Sequence, residues 1–407
     1  MQKRFTPDAG GVFPEWEEVR LGDIAELKNG YTFSAKTYDK KHDGKYNVLT
    51  IANVQSEKFV KIDNKTNTIS ELPKNIREHQ KLKDGDLLIS LTGNVGRVAI
   101  NKGQNNLLNQ RVGKLEIKDA EKVDSTFLYY VLNSDLFLKS MKCKGHGTAQ
   151  KNLSKPDVEE FLFYMPCIEE QRKIAAALAA YDEMIAVKTA KLETWQECKK
   201  RMVKEIFGRT KRFKDDDGKA FPEWEEKMLG EVAEINPASA ESLPETFYYM
   251  DLGSIDSGIW TEKRLVDKKS APSRAQRIAQ QDDVFFQSVR PLNKDHYHYT
   301  KKADKSVVAS TGFIQLRIKN GSNAFLYQLL YENNFNNEVR RYAAGSNYPA
   351  INATNLSKIK VMIPCMEEQQ KIGSFLAELD KEVQIQKEFI KTYAEWKKRM
   401  MRELIEE

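Results

Sequence analysis

The residues on which metal or nucleophilic chemistry would rest are few and scattered. Four cysteines, Cys143, Cys167, Cys198 and Cys365, form no C-x-x-C pair and stand beside no histidine set, so reduced thiols are expected rather than a metal or disulfide framework. His296 and His298 flank Tyr297, but no ligand set accompanies them to complete a zinc site. An adenine methyltransferase would show a Gly-rich cofactor loop and an Asn-Pro-Pro-aromatic motif. The nearest match, Asn236-Pro237-Ala238-Ser239, lacks the second proline and the ring. No G-x-x-x-x-G-K-[ST] phosphate loop is present, and no nuclease-type carboxylate cluster stands out. The expectation is a chain with no catalytic residues, no metal and no cofactor of its own.

The residues that remain are suited to binding. Lys and Arg number 65 against 59 Asp and Glu, a formal charge of +6, which favours a polyanion without requiring one. Base edges are read by Arg, Lys, Asn, Gln and small hydroxyls, and phosphates by the same types plus backbone amides. These types gather in short polar segments. In the first half they are Thr92, Asn94 and Arg97 in a Gly-rich turn, Asn109-Gln110-Arg111, and Lys144, His146, Thr148 and Lys151 around Gly145 and Gly147. In the second half they are Ser288 and Arg290, Lys294, His296 and His298, then Arg340, Arg341, Ser346, Asn347 and Tyr348 around Gly345. The Gly145 and Gly345 loops each precede an Asn-Leu-Ser. Such segments also serve as ordinary turns, so each is a candidate DNA contact only.

The elements that must position these loops are duplicated. Phe13-Pro14-Glu15-Trp16-Glu17-Glu18 returns as Phe221-Pro222-Glu223-Trp224-Glu225-Glu226, and Lys3-Arg4-Phe5 returns as Lys211-Arg212-Phe213. Pro166-Cys167-Ile168-Glu169-Glu170-Gln171 returns as Pro364-Cys365-Met366-Glu367-Glu368-Gln369. Trp16 and Trp224 fit packing within a repeated motif better than stacking on bases. The repeats divide the chain into a first variable domain (1–166), a helical region (167–208), a linker (209–220), a second variable domain (221–364) and a second helical region (365–407).

Each helical region carries a heptad stripe. The first runs through Ile174, Leu178, Tyr181, Ile185, Lys188, Leu192, Trp195, Lys199, Met202 and Ile206; the second through Ile372, Leu376, Leu379, Val383, Gln386, Ile390, Tyr393, Lys397, Met400 and Leu404. A stripe this long predicts a coiled-coil seam, with Pro166 and Pro364 just ahead of the helix starts. The polar residues in it either fix register or snorkel past it. Between Ile174 and Ile206 the helix would extend roughly 50 Å, and because a domain separates the two helices they can pair antiparallel. Runs such as Asn47–Ile51, Asp86–Ser90 and Lys114–Ile117 read as strands, and Ser125–Lys139 as one helix capped by Ser125. The fold class expected is α+β: two mixed α/β domains alternating with two long helices that form an antiparallel coiled coil, pseudo-two-fold symmetric.

The combination of F-P-E-W-E-E…L-G-[DE]-[IV]-A-E with [IM]-E-E-Q-[RQ]-K-I and a long heptad helix ending in K-K-R-M resembles the specificity subunits of type I restriction–modification systems, over essentially the whole chain. The resemblance implies two target-recognition domains, each reading half of a split double-stranded DNA target, with the helices setting the gap. It further implies docking of two modification subunits that methylate adenine with S-adenosylmethionine, and of restriction subunits in the full complex. The rival readings are a coiled-coil scaffold that never meets DNA and a methyltransferase with divergent motifs. With neither an apolar leader nor a membrane span in the sequence, the expected location is cytoplasmic.

Overall fold

The structure is a computed structural model, and it describes residues 4–55, 57–146, 151–238, 242–345 and 348–406. Two long helices dominate the sequence order: α1, Ile168–Phe207, and α2, Met366–Met401, which ends in a π-helical turn over Arg402–Glu406. Both begin two residues after the prolines that announced them. Their residues divide between two compact units, Met1–Val187 with Phe389–Glu407, and Lys188–Glu388. Each unit thus contains one variable domain and a stretch of each helix.

Within each unit the helices run antiparallel. In the first, Ile174 and Leu178 from the start of α1 share a core with Met400, Met401 and Leu404 from the end of α2. In the second, Met202 and Ile206 from the end of α1 share a core with Ile372, Leu376 and Leu379 from the start of α2. Every residue of both predicted stripes, Tyr181, Ile185, Leu192, Trp195, Val383, Ile390 and Tyr393 among them, is buried or half-buried. The 3–4 spacing of the apolar residues is what keeps that seam on one side of each helix.

The two domains share one topology. In the first unit an antiparallel sheet has the order Ala25–Asn29, Val112–Ile117, Leu87–Ser90, Val98–Ile100. A second sheet has the order Asn67–Ile69, Tyr46–Leu49, Asn106–Leu108, Lys81–Leu82, its central pair parallel. The second unit repeats both, as Ala233–Ile235, Phe313–Ile318, Val284–Gln287, Tyr297–His298 and as Arg264–Asp267, Thr246–Met250, Val307–Ser310, Ala275–Ile278. The predicted strands all form. The predicted helix Ser125–Lys139 does not: it is two helices, Ser125–Leu132 and Asp135–Lys144. The cap of the first is Asp124, whose carboxylate accepts from Phe127 N, and Ser134 caps the second by accepting from Phe137 N. A hydroxyl bonded to the next helix's backbone ends the continuous pattern that the apolar spacing suggested.

The repeated anchor motifs meet at one point in each unit. Glu170, in the first turn of α1, is fully buried and accepts from Arg4 (2.8 Å) and from Trp16 Nε1 (3.0 Å). Glu368, in the first turn of α2, is fully buried and accepts from Arg212 (2.9 Å) and from Trp224 Nε1 (3.0 Å). The neighbouring glutamines tie the helix start to the domain. Gln171 donates to Pro166 O and Lys122 O and accepts from Asp124 N; Gln369 donates to Pro364 O and accepts from Ser322 N. Trp16 and Trp224 are therefore packing residues, and the carboxylates lie where the helix dipole favours them. Removing one partner of a buried pair strands the other, which costs about 3–5 kcal/mol. Glu368→Ala is accordingly expected to destabilise the second unit by at least ~3 kcal/mol in urea unfolding; a loss below ~1 kcal/mol would contradict this role.

Candidate nucleic-acid interface

In each domain the fold gathers polar loops that are far apart in sequence. In the first unit the strand Leu87–Ser90 runs into the Thr92–Arg97 turn. Ser90 Oγ donates to Asn94 O and accepts from Arg97 N, which points Asn94 into solvent. Gly96 has φ +80° and comes so near Met141 that an added Cβ would lie 2.7 Å from that side chain. The turn is flanked on two sides: Leu91 N donates to Arg111 O, and Gly93 N donates to Lys151 O. Thr92, Asn94, Arg97, Arg111, His146 and Lys151 thus share one end of the domain. The second unit repeats the arrangement, with Arg290 N donating to Pro349 O and Ala344 bridging Ala350. Thr148, Ser346 and Asn347 lie outside the described residues.

Several candidates are spent on the fold instead. Asn109 is buried; its carbonyl accepts from Arg111 N and its amide donates to the Tyr38 hydroxyl. Ser288 is buried and donates to Gly312 O. His296 is fully enclosed, stacked on Phe286 with ring centroids 4.5 Å apart, and its Nδ1 accepts from Gln287 N. It presents no atom to a duplex, and burial holds its pKa down to about 3, with the Lys294 charge adding to the effect. His298 pairs with Asp282 at 2.6 Å and stacks on Tyr327. The two histidines therefore point to different partners. Lys144 reaches Asp157 O, Gln110 accepts from Thr32, Arg340 donates to Asn337, and Arg341 pairs with Glu338. Lys294 is half-buried, and desolvation beside Arg340 lowers its pKa.

The heptad spacing of the seam lysines does not reveal their partners. Lys199 pairs with Asp380, which also accepts from Gln328 Nε2 at 2.7 Å, and the ammonium lies over the Tyr331 ring. Lys397 pairs with Asp182, which also accepts from the Tyr130 hydroxyl at 2.6 Å, and lies over the Tyr130 ring. Each pair joins α1 to α2 inside one unit. Asp182 and Asp380 occupy equivalent places in the repeats, as the lysines do, and that shared spacing was the available signal. Beside the Lys199–Asp380 pair opens a groove of about 1040 Å³ bordered by Lys199, Lys200, Lys204, Lys294, Lys387 and Asp380. Among the described residues no helix is long and apolar enough to cross a membrane.

With these geometries in hand, known proteins supply a family. The model of the type I restriction modification DNA specificity domain matches residues 14–194 and again residues 222–392. The chain belongs to this family. Curated relatives in the specificity family include the MjaVIII specificity subunit of Methanocaldococcus jannaschii, 25% identical over 411 residues, covering 96% of this chain and 92% of that one. The EcoBI specificity subunit of Escherichia coli is 24% identical over 190 residues, covering 47% of this chain and 37% of that one. Among solved structures, the S subunit of a type I system from M. genitalium has a TM-score of 0.67 at 17% identity, covering 98% of this chain and 99% of that one. A structure from work on type I R-M complex assembly and conformational transition has a TM-score of 0.51 at 19% identity, covering 97% and 99%. The specificity fold is thus present end to end.

Two tests follow from the side-chain placement. Lys199→Asp places two carboxylates together and is expected to lower stability by roughly 2 kcal/mol, with Asp380→Lys in the same chain restoring most of it. A double-mutant cycle showing no coupling would remove the clasp. His296 stays neutral down to about pH 3 when folded, whereas an unfolded imidazole takes up its proton near pH 6.5. The unfolded state therefore gains protons first as pH falls, and stability drops between about 6.5 and 3. His296→Phe should show a shallower decline of unfolding midpoint between pH 6.5 and 4 than the parent; an equal slope would contradict the burial argument.

Proposed function

We propose that the chain reads a bipartite double-stranded DNA target for a type I restriction–modification assembly and performs no catalysis itself. Each variable domain (1–166 and 221–364) reads one half-site, and the helical regions (167–208 and 365–407, with the linker 209–220) set the gap. The observation that carries this reading is the convergence of polar loops at the same place in both domains, within a chain whose two halves both match the DNA specificity family. The contacts proposed are Thr92, Asn94, Arg97, Arg111, His146 and Lys151 from the first domain, and Arg290 and Tyr348 from the second. Phosphate contacts from Lys151 fix orientation, while Arg and Asn read base edges. Two modification subunits, which carry S-adenosylmethionine and methylate adenine, dock on the helices, and restriction subunits join that core.

The helices give this reading a length dependence. One heptad adds about 10 Å of helix, close to three base pairs of duplex. Removing one heptad from α1 together with the facing heptad of α2 is expected to shorten the gap by a few base pairs and to leave both half-site sequences unchanged. Sequencing of methylated adenines checks it. A constant gap with altered half-sites would contradict the helix-length mechanism.

A further inference from the structure

The two domains differ at one position of the shared loop platform. In the first, the residue whose backbone N–H closes onto the return segment is Gly93, with φ +74°, bonded to Lys151 O. In the second, the same bond to Pro349 O is made by Arg290, with φ +51° and ψ +52°. Four residues on, Lys294 is left-handed as well, at φ +62°. Left-handed backbone disfavours a side chain with a Cβ, and glycine at this place in the first domain shows that the turn itself needs no arginine. A strained position kept by a bulky residue points to a use for that side chain.

The side chain's surroundings say what the use is. Arg290 is exposed, and its guanidinium lies 4.2 Å from the centre of the Tyr348 ring, itself 67% exposed. Cation–π attraction holds the guanidinium over the ring, and its N–H groups form the edge through which a guanidinium bonds. Among the described residues that edge meets no carboxylate and no hydrogen-bond acceptor. The other candidate arginines of this domain are engaged, Arg340 with Asn337 and Arg341 with Glu338. A planar, preoriented, unpaired guanidinium at the rim of a DNA-facing loop matches the paired O6 and N7 acceptors of guanine in the major groove. We infer that Arg290, held by Tyr348, reads a guanine in the half-site of the second domain. This rests on the DNA-reading function proposed above.

The test uses the full chain expressed with its modification subunits in a host free of adenine methylation, with single-molecule sequencing of methylated sites. Arg290→Gly suits the turn, because the first domain already has glycine there, so the fold is expected to persist. The expected result is relaxation of one G·C position in one half-site, with discrimination there falling roughly ten- to hundred-fold and the other half-site unchanged. Tyr348→Ala should relax the same position less. An unchanged motif in Arg290→Gly, at full or at uniformly reduced methylation, overturns the inference. A chain whose residues 221–364 come from another family member separates the two levels of failure. If the motif follows that exchange but not Arg290→Gly, only the role of Arg290 falls. If it follows neither, the DNA-reading function falls with it.

Discussion

The structure depends on a buried carboxylate at the start of each long helix. Glu170 and Glu368 are fully enclosed, and a charge in that position is tolerable only while an arginine and an indole N–H meet it. Those donors come from the segment that opens each domain, so satisfying the carboxylate fixes the domain on its own helix. The adjacent glutamine extends the same junction to the helical part of the domain. The two anchor motifs are one device seen twice in the sequence, and a domain free to rotate about this junction could not hold loops in register with a duplex.

The seam adds a second constraint. A stripe of leucines and isoleucines pairs helices but specifies register weakly, whereas a lysine that must find an aspartate tolerates only one alignment. Lys199 with Asp380 and Lys397 with Asp182 impose that alignment once in each unit. Gln328 and Tyr130, which hydrogen-bond the same aspartates, come from the domains. Helix register and domain placement are thus coupled through shared carboxylates within each unit.

Architecture was legible in the sequence because it is written in repeats and periods. The heptads, the domain order and the paired anchors all survive averaging over many residues. What escaped depends on single hydrogen bonds. Ser134 splits a helix that apolar spacing made continuous, and nothing in that spacing reveals a hydroxyl turned toward the next backbone N–H. His296 and Asn109 looked like polar loop residues and are interior, because the strand ends that bury them are set by tertiary packing. Asp182 and Asp380 carry no mark in the sequence beyond their equivalent places in the repeats, and it is the lysine on the facing helix that gives each its role. The polar loops of each domain do converge in space, while the side chains among them that brace the fold could be told apart only once the fold was known.

The central claim is that this chain divides DNA sequence reading between two domains. Sequencing methylated adenines in a host that carries the chain with its modification subunits, and in the same host lacking only this chain, tests it most directly. The account predicts a motif of two fixed half-sites around an unspecified gap that disappears with the chain. A motif that persists without the chain, or one with no gap, would contradict it.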